Sequence, residues 1–165
     1  MRIPRYLRRT PMARGAGTQL RRMTNTGDEA VLAARVVNHM MDHDAFSRWL
    51  GIELVDVLPR EVRIRMTVRA EMTNGFGVGH GGITFSFADS AFAFACNNRN
   101  NLSLALDTSI NFTKTTRPGD VLTAIAEEKH NGRTTGLYHI TVSNQHDEEV
   151  AFFKGTCFRT GKTLV

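Results

Sequence analysis

The chain has 165 residues and 18.4 kDa, with 21 Lys and Arg against 16 Asp and Glu, a formal charge of +5 and a pI near 9.8. Hydrophobic residues make up 41% and charged residues 22%, ordinary globular usage that excludes collagen-like and globally disordered chains. No apolar run approaches the length of a membrane span, and Cys96 and Cys157 form neither a disulfide framework nor a CxxC site.

Residues 1–22 hold seven arginines and no acidic residue, which leaves 14 basic against 16 acidic residues, a net of −2, for 23–165. The basicity therefore belongs to an arm and the body is mildly acidic. Pro4, Pro11, Gly15, Gly17 and Gly27 punctuate 1–27, which reads as a loosely attached or disordered segment. Its functional readings are a transit peptide, phosphate binding and contact with anionic lipid; the plain reading is a solvated tail, or an extension ahead of a start at Met12 or Met23. No secretory signal is expected, because no apolar stretch follows the charges. The two cysteines suit a reduced, cytoplasmic compartment, with both thiols packed as small apolar groups.

Asp28 and Glu29 predict a helix N-terminus, followed by Ala30, Val31, Ala34, Val37, Met40 and Met41 at helical spacing. A second short helix is expected over 44–50, with Phe46, Trp49 and Leu50 on one face and Gly51 as its stop. His39 and His43 lie four apart, but the glutamate of a metal-binding helix is missing, so they read as surface histidines and no metal is predicted. Strands follow at 52–58 and at Val62, Ile64, Met66 and Val68, which alternate with Arg63, Arg65, Thr67 and Arg69. Beyond a central helix, Leu104, Leu106, Thr108, Ile110 and Phe112 alternate with Ala105, Asp107, Ser109, Asn111 and Thr113. Further strands are predicted over 121–128, 134–143 and 149–158, joined by Asn131-Gly132 and by a turn over 144–147. Hairpin-linked strands make an antiparallel sheet, and residues 28–165 read as a single α+β domain. The central helix, 81–98, carries Phe or Ala on nearly every face. It demands burial all round, for which a second subunit is the simplest source of cover.

Five glycines fall within 75–82. They satisfy GxGxxG formally, but only strands follow the helix, which is wrong for dinucleotide binding. Gly81-Gly82 instead opens a long helix whose first amides lack intrahelical partners, the geometry that stabilises an oxyanion. The plainer reading is a tight turn. Asp89 is the one charge between Met72 and Asn98. A buried carboxylate there is either structural or a base or nucleophile, and the residues alone leave both open. Asn74 and His80 can each hydrogen-bond a carbonyl or orient a water, and His80 can equally be structural.

Asn74, His80, Gly81-Gly82 and Asp89, set in the segment Thr84-Phe85-Ser86-Phe87-Ala88-Asp89-Ser90, resemble the hotdog-fold acyl-CoA thioesterases, most of all the phenylacetate-degradation branch. Supporting segments are Trp49-Leu50-Gly51-Ile52, Asn111-Phe112, Arg117-Pro118-Gly119-Asp120, Gly132-Arg133-Thr134-Thr135-Gly136 and Phe153-Lys154-Gly155-Thr156. The resemblance implies an antiparallel sheet wrapped around one long helix, with two units forming a dimer and two dimers a tetramer. It implies active sites shared between subunits, in which Asp89 acts as base or nucleophile with Asn74, His80 and Gly81 of the other chain. Acyl-CoA is the implied substrate, with an aryl-acetyl or medium-sized acyl group and no cofactor. Gly82, Thr108, Lys114, Arg117 and Arg133 are the expected substrate contacts. Relatives that carry a hydroxyl one turn after the acidic residue differ from this chain, which has Ala93 there; Asp107 or Thr108 could substitute. The alternatives are a hydroxyacyl-thioester dehydratase, and an acyl-CoA-binding sensor whose arm binds nucleic acid. The full Asn–His–Gly–Asp set weighs against a pure binder, and no nucleic-acid partner is expected.

Overall fold

A computed structural model describes the backbone of residues 16–165 and side chains from Gly27 onward. Helix α1 spans Ala16–His43 and α2 spans Ala45–Leu50. Strands β1 (Glu53–Leu58) and β2 (Glu61–Thr67) precede a 3-10 turn at Ala70–Met72 and helix α3 (Gly81–Asn97). Strands β3 (Ser103–Phe112), β4 (Val121–Asn131), β5 (Thr135–Ser143) and β6 (Glu149–Arg159) complete the chain. The six strands form one antiparallel sheet in the order β1-β2-β4-β5-β6-β3, with α3 packed against one face. This is the α+β architecture expected from the sequence.

Helix α1 starts at Ala16, so Asp28 and Glu29 lie inside it, not at its N-terminus. The expectation of a loose arm over 1–27 falls, for residues 1–15, outside the described residues. Asp44 caps α2, its Oδ1 accepting from the amides of Phe46 and Ser47, and Gly51 ends it at φ 77°.

The sheet face under α3 follows the period-two pattern. Val62, Ile64 and Met66 of β2, Leu122, Ala124 and Ala126 of β4, and Tyr138, Ile140 and Val142 of β5 are all buried. Gly155 of β6 admits the Phe92 ring, because a Cβ there would fall 2.7 Å from it. The burial of α3 is less complete than its composition suggested. Helices α1 and α2 supply part of its cover, with Ser47 Oγ 2.9 Å from Ser90 Oγ. A stripe at Gly82, Ser86, Asp89 and Ala93 stays at least partly open.

One strand departs from simple alternation. Ala105 pairs with Cys157 and Asp107 with Thr156, so Leu106 is an extra residue, a β-bulge. The bulge moves Leu104 to the outer face opposite Phe158, while Thr108, Ile110 and Phe112 stay on the inner face opposite Gly155, Phe153 and Ala151. Leu104, Leu106 and Thr108 therefore do not share one face.

The two sheet edges differ. β1 carries Glu53 and Asp56, paired with Arg65 and Arg63 of β2, charges that discourage edge pairing. β3 presents Leu104 at 58% and Leu106 at 63% exposure along an edge with no further strand among the described residues.

Candidate functional site: a glycine loop, a helix N-terminus and one carboxylate

The loop ahead of α3 is built from local hydrogen bonds. Thr73 pairs with Gly79, the Asn74 amide donates to the Val78 carbonyl at 2.8 Å, and the His80 amide donates to the Met72 carbonyl at 2.8 Å. Asn74 Oδ1 accepts from the Phe76 amide at 2.9 Å, which holds the carboxamide in an Asx-turn and leaves its Nδ2 to donate outward. Gly79 donates to the Thr116 carbonyl at 2.7 Å, and a Cβ on it would lie 2.0 Å from Thr116 Oγ1. This close approach explains the glycine.

His80 caps α3. Its Nδ1 accepts from the Gly82 amide at 2.9 Å, and its carbonyl accepts from the amides of Ile83 at 2.9 Å and Thr84 at 3.4 Å. Three of the first four amides of the helix are thus satisfied by one residue. The fourth, that of Gly81, has no acceptor among the described residues, and it sits where the helix dipole is most positive. Because Nδ1 accepts, the neutral ring carries its proton on Nε2 and presents a donor there. Gly82 gives the imidazole room, since a Cβ would stand 3.0 Å from Nδ1, and its amide is already engaged by His80.

Asp89 lies two turns further along α3, half-buried, with no hydrogen-bond or ionic partner among the described residues. Burial alone acts on it and pushes its carboxyl above the ordinary range. It opens onto a cleft of about 320 Å³ whose other walls include Met40, Phe92, Cys96, Leu102 and Leu164. The polar neighbours Asn97 and Ser103 satisfy one another, the Ser103 amide donating to Asn97 Oδ1 at 2.8 Å and Asn97 Nδ2 donating to the Ser103 carbonyl at 3.2 Å. Among the polar side chains that line this cleft, the carboxylate is therefore the one left without a hydrogen-bond partner.

Asn74, His80 and Gly81 come together around the loop, but Asp89 does not join them within the chain. Eight residues of α-helix separate Gly81 from Asp89 by about 12 Å, too far for both to reach one carbonyl. The expected nucleotide contacts are likewise divided. Lys114 and Arg117 lie at the end of the sheet near the start of α3, where Thr113 bonds Val150 and Gly119 bonds Val68. Arg133 lies in the β4–β5 turn at the opposite end. Lys114 Nζ is engaged by Glu148 Oε1 at 2.7 Å, whereas the side chains of Arg117 and Arg133 are exposed. The bulge in β3 turns the half-buried Thr108 inward and Asp107 outward, so Thr108 is the better placed of the two.

The buried Cys96 thiol donates to the Ala93 carbonyl at 3.5 Å; the proximity of Cys157 and burial hold its pKa above the ordinary thiol range, while the neighbouring Cys96 thiol and the Arg159 guanidinium hold that of Cys157 below it. Arg159 is itself buried and donates to Asn131 Oδ1 and the Gly132 carbonyl. His39 and His43 are exposed, with ring centroids 4.4 Å apart and His43 Nδ1 against the His39 carbonyl. Sequence reasoning missed Met40, Leu102 and Leu164 as cleft walls. No local pattern marks them, because they converge from α1, the β3 approach and the segment after β6.

The profile of the thioesterase superfamily matches residues 76–151. Acyl-coenzyme A thioesterase PaaI of Escherichia coli is 40% identical over 125 residues, which cover 76% of this chain and 89% of that protein. Human acyl-coenzyme A thioesterase 13 is 29% identical over 113 residues, 67% of this chain and 81% of the relative. The solved structure of the E. coli PaaI protein from the phenylacetic acid degradation operon superposes with a TM-score of 0.81 at 38% identity, covering 82% of this chain and 99% of that one. A Streptococcus mutans protein solved with acetyl CoA bound superposes with a TM-score of 0.67 at 31% identity, covering 68% and 91%. The fold and these relatives define a hotdog-fold thioester hydrolase. The chain belongs to the thioesterase superfamily, as an acyl-CoA thioesterase of the PaaI type.

Proposed function

We propose that the chain hydrolyses an aryl-acetyl or medium-sized acyl-CoA at a site shared by two copies, with Asp89 of one and Asn74, His80 and Gly81 of the other. The observation that carries this reading is the unsatisfied Gly81 amide, left free while His80 occupies the next three amides of the helix. The thioester oxygen takes the Gly81 N–H, and the Nε2–H of His80 and Nδ2 of Asn74 orient the carbonyl or the water. Asp89 removes a proton from the water as it attacks the carbonyl carbon. The tetrahedral intermediate then expels CoA thiolate, which is protonated, and the free acid leaves. With Nδ1 engaged as an acceptor, His80 serves as cap and donor, not as the base. The competing route, attack by Asp89 itself to give a mixed anhydride, would place ¹⁸O from labelled water in Asp89 during a single turnover.

The apolar β3 edge supports pairing of two copies through β3, and a dimer of dimers is the expected assembly. Arg117 and Arg133, at opposite ends of one chain, converge on one CoA only if the site spans two. Lys114 and Thr108 assist at its margins, while Gly82 contributes through the His80 cap. The reaction runs in the cytoplasm as part of phenylacetate breakdown, residues 28–165 suffice for it, and no metal or cofactor takes part. A free-thiol assay over a panel of acyl-CoAs tests this directly. Turnover of phenylacetyl-CoA or a medium-chain acyl-CoA by the native protein, lost in Asp89→Asn, is the expected result. Normal turnover in that variant overturns the reading.

A further inference from the structure

We infer that the cleft beside Asp89 receives the acyl group and that Leu164, held in place by Asn100, limits the size of group admitted; this rests on the proposed catalytic role of Asp89. The cleft joins one partnerless carboxylate to apolar walls from Met40, Phe92, Leu102 and Leu164, a volume of about 320 Å³ suited to an alkyl chain or a phenyl ring. Leu164 is no incidental neighbour. After β6 the chain turns back along residues 100–102. The Thr160 amide and Oγ1 donate to the Leu102 carbonyl at 2.9 and 2.8 Å, and the Leu102 amide donates to the Lys162 carbonyl at 2.8 Å. Asn100 then closes the turn from a left-handed conformation at φ 58°. Its Oδ1 accepts from the amides of Leu164 at 2.8 Å and Val165 at 3.0 Å, and its Nδ2 donates to the Val165 carbonyl at 2.7 Å. One side chain thus ties down the backbone on which Leu164 sits. A loose segment could not present a fixed wall to a substrate. Asn100 is a positioning residue and Leu164 the residue that touches the acyl group.

The test is kcat/KM for acetyl-CoA, phenylacetyl-CoA and decanoyl-CoA in the full chain and its variants. Leu164→Trp should lower the decanoyl-to-acetyl ratio by at least about tenfold, the scale on which one pocket contact discriminates. Leu164→Ala should raise that ratio, chiefly through KM. Asn100→Ala should shift it in the same direction as Leu164→Ala, and Asn100→Asp, which keeps the acceptor for both amides but sets a carboxylate oxygen against the Val165 carbonyl, should recover only part of the native value. Leu164 is half-exposed, so its two variants fold even where Asn100→Ala does not. If both Leu164 variants leave the ratio within about twofold of native while Asp89→Asn abolishes turnover, the size-limiting role is overturned and the catalytic reading stands. If Asp89→Asn keeps full activity, the catalytic reading falls and this inference with it.

Discussion

At the scale of single residues, Asp89 trades stability for chemistry. A half-buried carboxylate with no partner is held above its ordinary range by burial. The acid limb of kcat/KM should therefore lie above the usual carboxylate pKa, and a pH–rate profile will show it. The linkage to folding has a definite sign. A carboxyl whose folded pKa is raised supports the native state below the unfolded pKa, and that support is lost as pH rises through the folded value. Asp89→Asn should thus lower kcat by about 10³ yet raise the thermal midpoint at pH 7 by roughly 2 °C. The gain should vanish in acid, where Asp89 is already neutral. Calorimetry at two pH values checks this. Gly79 shows the opposite logic. A Cβ there would meet Thr116 Oγ1 at 2.0 Å, so Gly79→Ala should unfold at markedly lower temperature. Gly79→Ala combined with Thr116→Ala should recover much of the loss, since the contacts that remain are 3.2 Å to Thr116 Cβ and 3.4 Å to the Thr116 carbonyl oxygen.

At the scale of elements, local chemistry set most boundaries. Asp44 and Gly51 frame α2 as their residue types predict, because capping needs only side chain and backbone a few residues apart. Asp44 Oδ2 also accepts from Ser47 Oγ at 2.6 Å. Asp44→Ala should therefore cost about 1–2 kcal/mol in denaturant unfolding without altering kcat. The start of α1 was misread because two acidic residues resemble a first turn wherever they occur; the backbone runs helical from Ala16. The β3 pattern was misread for another reason. Alternation assumes one residue per ladder position, and the bulge at Leu106 inserts a second. Register is a relation with β6, some fifty residues away, so no period within β3 could disclose it.

At the scale of the whole molecule, the separation of Gly81 from Asp89 decides what the monomer can do. About 12 Å of helix lies between the amide and the carboxylate, so with the roles proposed for Gly81 and Asp89 one site has to draw on two chains. Two inactive variants should therefore complement. Asp89→Asn and His80→Ala each disable every site in their own dimers. Mixed by subunit exchange, half of the dimers become hybrids with one intact site of two, and activity should return to about one quarter of native. No recovery, with exchange verified by mass, would refute the shared site. The asymmetry of the sheet edges fits the same picture, with ion pairs on β1 and exposed Leu104 and Leu106 on β3.

The sequence by itself determined the antiparallel sheet, the one long apolar helix, and the grouping of Asn74, His80 and Gly81. Each depends on periodicity or on hydrogen bonds spanning a few residues, such as His80 Nδ1 to the Gly82 amide. It also marked Asp89, since a lone charge in an apolar helix stands out in any fold. The tertiary structure alone decided which face of β3 turns inward and that Met40 and Leu164 wall the cleft at Asp89. Those outcomes are contacts between segments far apart in the chain. Close packing selects them among many spacings that local propensity leaves equal.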